Sequence, residues 1–248
     1  MDVDKENYWD VIIIGGGPAG YFAAIRSAEL ALQQGNRMKV LIVEKARRSL
    51  GKVIISGGER CNVTHACFDP AQLVKYYPRG GSALRGPFSR FQPRDTVNWF
   101  EQRGVQLKAE EDGRMFPVTD TSITIVNCLV EAGEQAGVSV WNQASVLGIE
   151  SLEEKEQTGA RFALTLQRDG YKAEQILHAR SVLFASGSDA TCQQFLRALG
   201  HTIVSAVPSL FTFNVKDVRI DELAGVSVQR AGLQLEDVQL GEKVNIPA

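Results

Sequence analysis

The sequence predicts an α/β fold: a Rossmann-like, doubly wound domain carrying an antiparallel β-meander, followed by the start of a β-rich second domain. Three observations predict it. A β-branched run ending at Ile14 leads into GGGPAG and then YFAAIRSAELALQQG, which reads as strand, glycine turn and helix. A short apolar run, Lys39 to Val43, follows at the spacing a parallel βαβ crossover requires. Period-two alternation between about residues 138 and 179 then precedes an apolar strand, Val182 to Ala185, which stops at Ser186-Gly187.

Each element has a local cause. Gly35 stops the first helix, and Ala24, Ala28 and Ala31 recur at helical spacing, so that helix can lie close to a sheet. From about Lys45 to Gly113 the pattern is irregular and glycine-rich, with one helix from Asp95 to Arg103 ended by Gly104. Residues 120–122 offer N-caps for a helix through Gln135, with Ile125, Val126, Leu129 and Val130 on its apolar face. The segments VSVW, SVLGIE, RFALTLQ, KAEQILHA and SVLFA read as separate short strands, with a hairpin turn at Asp169-Gly170. Residues 189–199 form a helix with Cys192, Phe195, Leu196 and Leu199 on one face. Beyond it HTIVSAV, LFTFNV, GVSVQ and GLQLEDV are strand-like. Residues 1–188 are thus expected to form the first domain, with an irregular, partly helical insertion over about 65–120, and 189–248 an incomplete second domain.

Composition narrows the function. The 27 Lys+Arg nearly balance the 29 Asp+Glu and form no basic tract, which argues against a nucleic-acid partner. The longest uncharged run lies between Asp10 and Arg26, is too short to span a bilayer and is broken by glycines and a proline. No secretory signal is read at the acidic N-terminus, and the 4 cysteines at irregular spacing fit a reducing compartment. The expectation is a cytoplasmic protein acting on a small molecule; oligomeric state is not legible.

Gly15-x-Gly17-x-x-Gly20 sits between a strand and a helix, the context in which this spacing binds a dinucleotide. The first glycine makes the tight turn, the second admits a pyrophosphate, and the third lets helix and strand close up. The helix N-terminus then faces the phosphates. Glu44 ends the second strand where a carboxylate can accept hydrogen bonds from ribose hydroxyls and repel a 2′-phosphate, so FAD or NAD is expected in this crevice and not NADP. A long glycine-rich segment after Glu44, together with the meander, favours FAD, because the isoalloxazine needs more wrapping than a nicotinamide.

GGGPAG, the run from Gly51 to Thr64 containing ISGGERCNVT, DGRMFPVTD at Asp112 to Asp120, and LGHTIVSAVPSLFTF at Leu199 to Phe213 together resemble the BaiN-like flavoproteins. Members of that family are NAD(P)/FAD-dependent oxidoreductases, some of them aminoacetone oxidases. The stretch YYPRGGSALRGPFSRFQPRDTVNWF is most similar to the cyanobacterial and plant branch. The resemblance implies a glutathione-reductase-like FAD domain, hydride transfer between flavin and a small organic substrate, and NAD(P)H as second redox partner. It also places the SGGERCNVT loop against the flavin. Candidate cofactor-binding residues are Gly15, Gly17, Pro18, Ala19, Gly20, Glu44, Lys45, Gly57, Arg60, Asn62, Val146, Ser186 and Gly187. No residue is singled out as a catalytic acid or base. The family pattern SGGGRCNVTN carries glycine where this chain has Glu59 and asparagine where it has His65. Family chains also continue well past this length with a C-terminal glycine-rich segment that completes the flavin site, so the resemblance implies a C-terminal truncation.

Two alternatives stay open. One is a truncated, non-catalytic FAD- or NAD-binding protein. The other is a flavin disulfide reductase using Cys61 and Cys67, whose C-x5-C spacing differs from the usual C-x4-C pair and which lacks a His–Glu acid/base pair. A metal site from Cys61, His65 and Cys67 lacks a fourth ligand at workable spacing, so no metal is expected.

Overall fold

The computed structural model describes residues 7–153, 159–205, 216–219, 233–237 and 242–246. β1 (Tyr8–Ile14), α1 (Pro18–Gln33) and β2 (Val40–Val43) build the expected βαβ unit, with β1 and β2 parallel and Ile13 opposite Ile42. All of β2 is buried, as a strand covered on both faces requires. Pro18 opens α1 at the position where its missing N–H is not needed, and Gly35, at φ +75°, follows its end.

The irregular segment is more structured than the sequence predicts. It holds α2 (Gly51–Ile55), β3 (Thr64–His65), α3 (Pro70–Leu73), a 3-10 turn at Val74–Tyr76, α4 (Gly81–Arg90), α5 (Pro93–Glu101), β4 (Leu107–Ala109) and β5 (Arg114–Pro117). The strands form a small antiparallel sheet in the order β3-β5-β4. α4 escapes sequence reading because it contains Gly81, Gly86 and Pro87 and buries no side chain. α5 starts at Pro93, ahead of the expected Asp95, because the Asp95 carboxylate accepts the Gln92 N–H (2.8 Å) and caps the helix from inside.

α6 (Ser122–Gln135) is capped by the Thr121 hydroxyl, and it leads to β6 (Ser139–Trp141), β7 (Ala144–Ser151), β8 (Phe162–Arg168), β9 (Gln175–Phe184) and α7 (Ala190–Ala198). The main sheet runs β6-β2-β1-β9-β8-β7. Two strand expectations need correction. β6 is not part of the meander: after the α6 crossover it pairs parallel to β2, so the antiparallel ladder begins at β7. KAEQILHA and SVLFA are one strand, because nothing between them turns the chain. β9 pairs antiparallel with β8 through Gln175–Ala179 and parallel with β1 through His178–Phe184.

Alternation along β1 divides the core. Ile13 faces a cluster with Ala24, Ile25 and Ala28 of α1, Trp99 and Phe100 of α5, and Ile125 and Leu129 of α6. Ile12 and Ile14 face the other side, with Leu164, Leu166 and Leu177 of the meander and Cys192 of α7. The chain divides into two compact units, Met1–Ile203 and Val204–Ala248, so α7, expected to open the second domain, lies in the first unit. Within the second unit, β10 (Leu233–Asp237) and β11 (Glu242–Ile246) form an antiparallel pair. Of the strands expected after α7, residues 201–205 carry no regular structure, residues 210–215 and 225–229 lie outside the described residues, and β10 falls within GLQLEDV.

Candidate functional site

The site begins where β1 ends. Gly15 has φ +115°, and a Cβ there would meet the Ala185 carbonyl at 2.5 Å and Ser186 Cα at 3.0 Å, so the ends of β1 and β9 can touch only because this residue is glycine. A Cβ on Gly20 would fall on the Gly15 carbonyl oxygen, which fixes the third glycine. Gly17 has open space where its Cβ would stand. No side chain caps α1 there, and its first turn carries no acidic residue. The Ala19 and Gly20 N–H groups therefore point out of the helix end with the positive end of the dipole behind them.

Glu44 is tied to this loop. Gly16 N–H donates to its Oε2 and Ala46 N–H to its Oε1, both at 2.7 Å, which locks the carboxylate while leaving a lone pair on each oxygen. Leu50, at φ +61°, donates its N–H to the Gly16 carbonyl (2.8 Å), and a Cβ on Gly16 would meet Ser49 Oγ at 2.5 Å. The segment after β2 thus closes over the glycine turn.

On the far lip, Gly187 has φ +64°, and a Cβ there would lie 3.6 Å from the Lys52 ammonium. Lys52 escaped sequence reading because it stands in a five-residue helix inside a glycine-rich run. Lys45 pairs with Asp189, whose carboxylate also caps α7 by accepting Cys192 N–H at 3.1 Å. That ammonium holds the Asp189 carboxyl below its usual range. Val146 lies in β7, beside a register shift between Val146 and Gly148, and packs on the meander core.

The loop from Gly57 to Asn62 is tightly wound. Gly57, Gly58, Glu59 and Cys61 all have positive φ, and a Cβ on Gly57 would strike Asn62 N at 2.7 Å and the Phe116 ring at 2.9 Å. Arg60, expected to offer its fork to a cofactor, is committed elsewhere. Its Nη1 donates to Glu110 Oε1 (2.6 Å), Asp120 lies 3.4 Å away, and its guanidinium stacks 4.1 Å over Phe116. The cause is the β3-β5-β4 sheet, which brings two carboxylates and an aromatic face to it at once. Asn62 presents its side chain to solvent.

Cys61 and Cys67 are free thiols, and Cys61 is buried. Burial pushes the Cys61 thiol above its usual value, against a hydrogen bond with Ser56 that lowers it, which is the reverse of an activated thiolate. No group of His, Cys, Asp and Glu among the described residues could hold a metal ion. His65 instead packs its ring on Gly113 and Tyr76. No helix among the described residues is long and apolar enough to cross a membrane.

An uncapped helix N-terminus, open space at Gly17 and an anchored carboxylate at the end of β2 fit the pyrophosphate and ribose of a dinucleotide. Fold and site together define an FAD-type dinucleotide-binding flavoprotein. The chain belongs to the family described as HI0933-like protein Rossmann domain, whose model matches residues 9–240. It is 27% identical over 225 residues to a ribosomal RNA dihydrouridine synthase of Escherichia coli (strain K12), covering 89% of this chain and 52% of that protein. It is 24% identical over 216 residues to a 3-dehydro-bile acid delta(4,6)-reductase of Clostridium scindens, covering 86% of this chain and 49% of that protein. The chain thus spans about half the length of these curated relatives. Among solved structures, a 3-ketosteroid-delta4-(5alpha)-dehydrogenase from Rhodococcus jostii RHA1 shares the fold, with TM-score 0.55, 19% identity, and 80% of this chain and 49% of that chain covered.

Proposed function

We propose that this chain is the FAD-binding part of an oxidoreductase that adds hydride to a carbon–carbon double bond in a small organic molecule. The observation that carries the reading is the crevice between Gly15, Glu44 and Ser186-Gly187, joined to family membership. The names of the two curated relatives, a dihydrouridine synthase and a delta(4,6)-reductase, both describe saturation of such a bond. Bound FAD would supply hydride transfer at its N5, with NAD(P)H as the source of electrons.

The residues divide the work of holding it. Ala19 and Gly20 N–H groups would meet the pyrophosphate, and Gly17 would give it room to approach. Pro18 keeps the first helical turn preformed. The free lone pairs of Glu44 would accept hydrogen bonds from the adenosine ribose hydroxyls, and Val146 would contribute to holding the cofactor from β7. Ser186 and Gly187 form the opposite lip, where Lys52 adds a positive charge. Gly57 and Asn62 would shape the loop that meets the isoalloxazine, whereas Arg60 holds that loop to Glu110 and Phe116 and Lys45 holds the end of β2 to α7.

The test is spectroscopic. Purified protein supplied with FAD and gel-filtered should retain stoichiometric flavin, identified in the supernatant after denaturation. NADH or NADPH should then bleach its visible band under anaerobic conditions, and a conjugated enone should restore it. Protein that takes up no FAD would overturn the reading; FAD that binds but never bleaches would leave a binding protein without turnover. The E. coli relative is named for a base in ribosomal RNA, but a formal net charge of −2 and the lack of a basic tract support a small molecule here. Replacing the enone by a uridine-containing RNA oligonucleotide in the same assay separates the two substrates.

A further inference from the structure

We propose that the surface built from α3, the 3-10 turn at Val74–Tyr76, α4 and the start of α5 docks an acidic electron-carrier protein. Over residues 70–94 the chain carries Lys75, Arg79, Arg85, Arg90 and Arg94 and no Asp or Glu, which leaves −7 for the rest of a chain whose formal net charge is −2. The five cations stand four to six residues apart, so they make no tract in the sequence, and the fold draws their segments together. A Cβ on Gly81 would meet the Val74 carbonyl oxygen at 2.4 Å, so α4 closes directly onto the 3-10 turn.

The charge is left for a partner. All five residues are exposed, and no carboxylate among the described residues pairs with any of them. The two flanking carboxylates are used as helix caps: Asp69 accepts the Ala71 N–H and Asp95 the Gln92 N–H, both at 2.8 Å. Lys75 donates to Gln72 Oε1 (2.8 Å), and the Arg94 guanidinium stacks 4.3 Å from the Phe68 ring centroid. Rings stand among the cations. Tyr76, Tyr77 and Phe91 are 65%, 42% and 42% exposed, and each is braced by a second ring. Tyr76 meets His65 at 4.9 Å between centroids, Tyr77 meets Phe88 at 5.8 Å and Phe91 meets Phe22 at 5.2 Å.

Four arginines to one lysine, interleaved with exposed tyrosine and phenylalanine, is the composition of a protein-binding surface. A lipid surface fits it less well, because an interfacial helix needs a free apolar face and the apolar residues of α4, Leu84 and Phe88, are half-buried against their own chain. A nucleic acid also fits less well: α4 is about 15 Å long, and a polyanion running past it meets a remainder of net negative charge. A compact acidic protein needs the patch alone. Electron-transfer encounters are small, burying less than about 1,200 Å², which suits a shallow surface. Position supplies the role, and here the inference rests on the flavin reading above. Phe22, behind Phe91, follows the glycine turn by two residues, and His65, behind Tyr76, follows Asn62 by three. Two reduced carriers would each give up one electron, and FAD would gain both together with two protons from solvent.

A plant-type two-iron ferredoxin, an acidic one-electron carrier, is the probe. Calorimetry should show it binding the FAD-loaded protein at about 20 mM salt and about tenfold or more weaker at about 300 mM. Mixed anaerobically in its reduced form, it should bleach the flavin. The double variant Arg85→Gln, Arg90→Gln should weaken binding and slow bleaching about tenfold, while Arg197→Gln on α7 leaves both unchanged. Because α4 buries no side chain, the double variant should hold FAD like the parent. The proposal is overturned when ferredoxin fails to bind, binds without bleaching the flavin, or binds the double variant as it binds the parent. It is also overturned when a uridine-rich RNA oligonucleotide or phosphatidylserine vesicles bind through the same two arginines in ferredoxin's place. Protein that takes up no FAD overturns the flavin reading and this one with it; ferredoxin failing where FAD is held and NADPH bleaches it overturns this proposal alone.

Discussion

Glu59 holds a left-handed backbone, φ +65°, in a loop where Gly57 and Gly58 do the same without a side chain. A left-handed residue with a Cβ costs about 1–2 kcal/mol, while glycine costs about 0.4–1 kcal/mol more to order from the unfolded chain. Glu59→Gly should therefore raise stability by about 0.5–1 kcal/mol, read as a higher urea midpoint, with the Ser122 N–H to Glu59 carbonyl bond (2.8 Å) retained. Two residues earlier the sign reverses. Gly57→Ala drives a methyl onto Asn62 N and Phe116 and should cost about 1–3 kcal/mol in the same denaturation series. At Glu44, replacement by Gln keeps the loop's size but removes the charge that anchors Gly16 and Ala46 N–H groups. Flavin retention after gel filtration should fall about tenfold for Glu44→Gln, and a variant that keeps FAD as tightly as the parent would remove Glu44 from the site.

At the scale of elements, α1 lies against the sheet because Ala24 and Ala28 present almost nothing to it; both are buried. Ala24→Leu adds three carbons to a packed seam and should lower stability by about 1–3 kcal/mol, measured by thermal melting, whereas the same change at half-exposed Ala23 should cost much less. This seam, the glycine turn and Glu44 were legible in the sequence because each is a short-range steric or charge pattern with a fixed period. α4 was not, since Gly81, Gly86 and Pro87 mask a helix that only its surroundings hold. Nor were β3 and β4, of two and three residues, which exist by pairing with β5. The commitment of Arg60 to Glu110 and Asp120 depends on partners 50 and 60 positions away. Long-range pairing of that kind leaves no local trace.

For the whole molecule, acid and base act through different groups. Asp112 is held below its usual value by the Arg114 backbone N–H, Asp120 by Lys108 and Asp189 by Lys45. Depressed carboxyls give stability that is present above about pH 4, the unfolded value, and lost as pH falls through the folded ones. Burial raises Cys61, Cys128, Cys192, Tyr8 and Tyr21, whose stabilisation is present below about pH 8.5–10 and lost as pH rises toward their folded values. Melting temperature against pH should accordingly be flat between about pH 5 and 8 and fall on both sides. A steep change inside that window would point to a titrating group other than these. Strand β9 carries a further consequence, because its first half is measured off against the meander and its second half against β1. It works as a ruler: a residue inserted after Ala179 would slide Ser186-Gly187 by about 3.3 Å past Gly15 and turn the following side chains to the wrong face. The span between β7 and β8 sets no such distance. Added residues there should leave flavin retention intact, while one added inside β9 should abolish it, and length variation among relatives should gather in the first place and avoid the second.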